Sequence, residues 1–139
     1  MPQLVRWTIK TALIYFVVAL ALATLTALQP VLGLDPRLQA LRPVYLHYLM
    51  VGWVTQLIMG IAYWMFPKYS KERPRRSETV AWGVYTALNA GLILRGFGEP
   101  LVAWQPERGL GWLLALSAVC QLAAAWGFIF NTWSRVKER

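Results

Sequence analysis

The chain has 139 residues, of which 58% are hydrophobic and 14% charged, with a formal net charge of +8. Soluble domains average about 45 to 50% apolar and about 25% charged, so composition excludes an ordinary soluble domain and points to a membrane protein of one domain. The positive charges fall between apolar runs and at both ends, which fits membrane topology and anionic headgroups and excludes nucleic acid as a partner.

Arg6 and Lys10 precede the first apolar run, Thr11 to Leu28. That run exceeds the roughly 7 to 15 residues of a cleavable signal's core, and we read it as a retained span. Pro30 follows it as a breaker. Ala19, Ala23 and Ala27 form a small-residue stripe along which helices can approach closely.

The second run extends from Pro43 to Phe66. Pro43 suits the first turn of a helix and Pro67 suits a stop. The basic loop "PKYSKERPRRSE" then reads as a topology determinant facing acidic lipid.

The third run, Thr79 to Leu94, ends at the breaker "GFGEP" and carries a second small-residue stripe, Gly83, Ala87 and Gly91. Arg95 and Glu99 flank its far end, where a solvated, weakly stabilising ion pair is expected. The fourth run, Leu110 to Phe130, contains Cys120, the only cysteine, so one chain forms no internal disulfide and no multi-cysteine metal site.

Trp7, Trp82, Trp104, Trp112 and Trp133 sit near span ends, as an aromatic belt requires, whereas Trp53, Trp64 and Trp126 lie deeper or at the border. Gln56, Asn89 and Gln121 fall within spans and are expected to hydrogen-bond between helices.

The second and fourth runs cross a hydrocarbon core of about 30 Å with ease, and the first and third do so by recruiting flanking residues. No barrel-like alternation is present, so the runs are expected to be helices. The expected fold is all-α: a four-helix transmembrane bundle forming one domain over residues 1–139, with spans at about 11–28, 43–66, 79–94 and 110–130. Arg6, Lys10, Lys68, Lys71, Arg73, Arg75, Arg76, Arg135, Lys137 and Arg139 share one side, against Arg37, Arg42, Arg95 and Arg108. This bias puts both termini in the cytoplasm of a multi-pass protein of the inner (cytoplasmic) membrane.

Paired acids, a phosphate-binding glycine loop and a Ser/His/Asp set are missing, and no carboxylate sits in mid-span to couple protons, which argues against a small multidrug-type transporter. The only histidine, His47, lies about one turn into the second run, near the outer face. Residue physics leaves two readings for it: a neutral ring hydrogen-bonded to a carbonyl, headgroup or water, or an axial ligand of haem iron. The first is the simpler. Met50, Met59 and Met65 could offer sulfur, although methionine on a membrane helix usually just packs.

The segment "LRPVYLHYLMVGWVTQLIMGIAYWMFP" resembles the second helix of the haem-copper oxidase subunit I family, above all its cbb3-type and nitric oxide reductase branch and its short subunit I-like forms. Arg42 and Pro43 match an Arg-Pro start, His47 a ligand of low-spin haem b near the outer face, Gly52 and Trp53 a small-residue segment, and Tyr63 and Pro67 the helix end. The likeness covers about 25 residues. It departs at "VYL", which separates Pro43 from His47 by a longer step than the oxidases often have.

The resemblance implies haem b as cofactor, with His47 as iron ligand and Arg42 pairing a haem propionate. The family's further histidines, for a second haem, the other axial position and a neighbouring metal, have no counterpart here. The chain is therefore expected not to be an enzyme by itself, and no catalytic residue is assigned. A sixth iron ligand would come from another residue type or another chain, for instance from His47 of a second copy across a two-fold axis. The expected function is that of a small membrane protein of respiratory electron transfer, a homo-oligomer or part of a larger respiratory membrane complex. The alternative is a haem-free accessory subunit or assembly factor of a terminal oxidase or nitric oxide reductase, in which Gly83, Ala87 and Gly91 would matter more than His47.

Overall fold

A backbone in hydrocarbon must satisfy its own N–H and C=O groups, which a helix does segment by segment. The computed structural model describes residues 1–136, and among these it contains four long helices and no strand. They are α1 (Gln3–Leu32), α2 (Pro36–Met65), α3 (Glu78–Trp104) and α4 (Gly111–Thr132). Lys137 and Arg139, two of the cations counted above, lie outside the described residues.

Three of the helices are long and apolar enough to cross a membrane: α1, α2, and α4 with its terminal turn to Arg135. The remaining helix, α3, has 27 residues and the length to cross, but it carries Glu78, Arg95 and Glu99 and is not among the three.

Two expected breakers lie inside helices. Pro30 falls within α1, which runs on to Leu32 and ends at Gly33, whose φ of 64° is the left-handed cap that glycine adopts without strain. The carbonyl deprived of its donor by Pro30 is that of Thr26, and Gln39 Nε2 donates to it at 3.2 Å. The "GFGEP" segment is also helical, and α3 ends at Gln105, before Pro106. A Cβ on Gly98 would come within 2.9 Å of Leu114, and one on Gly96 would strike the Tyr48 hydroxyl. These glycines serve close helix packing instead of a turn.

Four stretches make up α2: a 3-10 start over Pro36–Leu41, an α segment over Arg42–His47, a π segment over Tyr48–Thr55 and a final α segment over Gln56–Met65. Phe66 leaves the helix with extended backbone, as a residue before proline does, so Pro67 acts as the expected stop. Ser77 begins α3 by accepting the Val80 N–H on its hydroxyl, and Glu78 suits the positive end of the helix dipole.

On α1 the buried residues are Leu4, Val5, Thr8, Ala12, Tyr15, Ala19 and Thr26, and from Val5 to Ala19 they follow an alternating three-and-four spacing that forms a coiled-coil-like seam. The expected Ala19, Ala23 and Ala27 stripe drifts off this seam, with Ala19 buried and Ala27 exposed. The helices pack most extensively as two pairs, α1 with α2 and α3 with α4, and in the second pair Gly91 meets Ser117, Cys120 and Gln121. Gly83, from the same expected stripe, faces outward with no neighbour within 4 Å of an added Cβ. One hydrophobic cluster unites Leu4, Val5, Tyr63 and Ala81, and a second unites Tyr15, Leu88, Leu92 and Ala124.

The start of α1, the basic loop and the end of α4 lie at one end of the bundle. There Arg135 donates to the Phe66 and Pro67 carbonyls at 2.8 and 3.0 Å, the Asn131 side chain exchanges two hydrogen bonds with the Ser77 backbone, and Arg76 donates to the Phe130 carbonyl. At the opposite end Trp104 Nε1 donates to the Arg37 carbonyl at 3.1 Å.

Candidate functional site around His47

His47 closes the α segment of α2 and stands immediately before the π segment. Its Nδ1 lies 3.0 Å from the Pro43 carbonyl one turn back. A carbonyl oxygen only accepts, so Nδ1 holds the proton and the ring's lone pair is on Nε2. A bond of this kind fixes the tautomer and aim of the ring in histidines that bind metals, and a carbonyl was one of the partners expected for a ring without a metal.

The ring is half-buried, while Leu46 and Met50 on either side are exposed. His47 lines none of the three pockets described in the chain. Among the described residues no three of His, Cys, Asp and Glu cluster to hold a metal ion.

The π segment following it is held by Thr55, whose hydroxyl donates to the Met50 carbonyl five residues back at 2.8 Å. Such wide turns recur at functional sites. Within this segment Tyr48 meets the Tyr15 ring edge-on, with centroids 4.9 Å apart, and Trp53 lies 4.1 Å from the Phe16 ring. Gly52 lets α1 in so closely that an added Cβ would lie 2.7 Å from Tyr15 Cγ.

Arg42 is exposed and takes part in neither ion pair of the described residues. Five helical positions put it about 140° around α2 from His47, so the two side chains point from different faces. Of the methionines, Met59 packs against the second hydrophobic cluster, while Met50 and Met65 are exposed.

The polar residues within the helices behave in three ways. Gln56 hydrogen-bonds between helices as expected, donating to the Thr8 carbonyl at 3.3 Å. Gln121 donates to Ser117 on its own helix at 3.0 Å, and Ser117 makes the interhelical bond, donating to the Gly91 carbonyl at 2.6 Å. Asn89 donates to Tyr85 on its own helix, because the i−4 carbonyl is the nearer acceptor. The Arg95–Glu99 pair, at 3.0 Å, is mostly shielded by neighbouring helices, not solvated.

Sequence reasoning passed over two contributors to the interior. Arg135, read as one more topology charge, is only 1% exposed and clamps α4 to the end of α2. Tyr63 is buried beside it, 5.5 Å from the guanidinium. The available signal was position: Gln56 and Tyr63 are two helical turns apart on one face, opposite Thr8 of α1.

Comparison with family models, with curated proteins and with solved structures finds no match.

Proposed function

We propose that the chain is a four-span integral membrane protein of respiratory electron transfer, similar to a minimal subunit I-like unit, that binds haem b through His47 with both termini in the cytoplasm. The observation that carries this reading is the His47 Nδ1 bond to Pro43, because in the neutral ring it leaves the lone pair on Nε2, the nitrogen through which an imidazole could bind iron. Bound haem would supply one-electron redox chemistry. The chain's own part is to hold the ring's tautomer and angle, and the adjoining π segment supports a specialised local geometry.

Because His47 lines no described pocket, a macrocycle would lie on the outer surface of α2, between two copies or against a partner chain. A two-fold axis beside α2 would offer the iron two imidazoles without any further residue. Arg42 is then the cation for a propionate, reaching round α2 from about 140° away.

The test is a reduced-minus-oxidised visible spectrum of the protein purified from haem-replete cells. A haem b signal that disappears in His47→Ala is the expected result. A colourless wild-type protein, or a signal unchanged in His47→Ala, overturns the reading.

A second reading, a haem-free accessory subunit or assembly factor, is favoured by the place of His47 outside the three described pockets and by the outward Gly83 face. It predicts a colourless protein that co-purifies with a larger oxidase or nitric oxide reductase.

A further inference from the structure

A partly open cavity of about 30 Å³ lies where the four helices meet, lined by residues of both hydrophobic clusters. Most of its wall is apolar, and an apolar cavity of this size would stay dry. Two side chains change that expectation. Gln56 is 1% exposed, and while its Nε2 is used on the Thr8 carbonyl, its Oε1 has no partner in the protein. Tyr63, 5% exposed, lines the same cavity, and its hydroxyl has no partner either.

The other polar groups of the wall are already committed. Tyr85 shares a 2.8 Å hydrogen bond with Thr11, and Asn131 spends both ends of its amide on Ser77. The free capacity is therefore one acceptor on Gln56 and one hydroxyl on Tyr63. Buried polar atoms left unpaired in a low-dielectric interior are rare in native proteins because they forfeit their hydration. Water resolves this wherever about 10 to 15 Å³ is open to its centre, so this cavity has room for one or two molecules.

We propose that the cavity is an internal hydration site, in which ordered water donates to Gln56 Oε1 and exchanges hydrogen bonds with the Tyr63 hydroxyl. The water completes a polar layer between the two hydrophobic clusters and joins α2 to α1 through the Gln56–Thr8 bond. The site is independent of haem binding at His47.

The experiment is solid-state NMR of the full chain in lipid bilayers, following magnetisation transfer from water to the Gln56 side-chain amide. Rapid transfer is expected in the wild type, with its loss in Tyr63→Phe, which keeps the ring's volume and removes the hydroxyl. Absence of transfer in the wild type overturns the proposal whatever the variant does. Transfer that persists at full strength in Tyr63→Phe also overturns it, because water would then reach Gln56 by another route. If Tyr63→Phe fails to fold, the wild-type measurement decides alone.

Discussion

Gln39 places its amide on the Thr26 carbonyl, the one oxygen in α1 that Pro30 leaves without a backbone donor. The same Nε2 reaches Gln29 Oε1 at 2.8 Å, and Gln29 Nε2 donates to the Leu34 carbonyl at 2.9 Å, so the proline, the helix cap and the start of α2 form one unit. Gln39→Ala is expected to lower stability by about 1 kcal/mol, measured as thermal unfolding in detergent. Pro30→Ala restores the backbone N–H, so in the double variant most of that loss should vanish. An equal loss with and without the proline would show that the Gln39 contact does not serve this carbonyl.

Gly52 and Gly83 should respond to the same change with opposite signs. A Cβ on Gly52 meets Tyr15 at Cγ and Cβ, the root of the ring, which cannot swing aside, so Gly52→Ala should cost about 1 to 3 kcal/mol. Gly83 has open space, and Gly83→Ala should gain up to about 1 kcal/mol of helix propensity. Both are read in one unfolding assay. A destabilised Gly83→Ala would instead mark the outward face of α3 as a packed interface with another chain.

The features legible in the sequence were those set by long-range averages. Four apolar runs become four helices, Pro67 stops α2 and Pro43 sits in the first turn of its α segment, but α2 begins at Pro36, so the half-buried histidine lies about three turns along it instead of one. What stayed hidden depends on neighbours. Pro30 and "GFGEP" read as breakers because proline and glycine cost most in an isolated helix. In the bundle, Gln39 meets the orphaned carbonyl, and Gly96 and Gly98 receive Tyr48 and Leu114. The seam of α1 follows a heptad that a stripe of alanines four apart does not reveal, since Thr8, Tyr15 and Thr26 are polar or large. No local signal marks the π segment of α2, whose extra width accommodates the Tyr15 and Tyr48 rings beside Gly52. At His47 the carbonyl partner was among the expected ones, while the choice of Nδ1, and with it the freedom of Nε2, required coordinates.

Arg135 holds two carbonyls at the end of α2 that no helical N–H can reach, since the chain turns away at Phe66. Arg135→Gln should cost about 2 to 3 kcal/mol, the range for charge-assisted bonds to a buried group. Arg135→Lys should recover only part of this, because an ammonium lacks the planar fork that spans Phe66 and Pro67. Hydrogen exchange gives the more specific readout: amides near residues 60–66 should exchange faster in Arg135→Gln, while those near Trp104 at the opposite end keep their protection. Uniform acceleration along the chain would mean that Arg135 supports global stability without acting as a clamp.

Glu99 keeps Arg95 from standing unpaired in the interior of α3. The 3.0 Å contact lacks the alignment of a directed hydrogen bond, and the side chains are 21% and 16% exposed, so attraction is screened less than at a surface. Glu99→Gln leaves the guanidinium without an acid and should cost about 1 to 3 kcal/mol, below the roughly 3 to 5 kcal/mol typical of fully buried pairs. Replacing both partners together, Arg95→Leu with Glu99→Leu, should come close to neutral or stabilise, because an apolar pair carries no desolvation cost. The pair also bears on why α3 is not among the helices apolar enough to cross a membrane: losing both charges raises its hydropathy in the half nearest Trp104. The two variants are compared with the wild type by thermal unfolding at low and high salt. A loss in Glu99→Gln that disappears in high salt would assign the pair to the solvated surface and remove it from the packed interior.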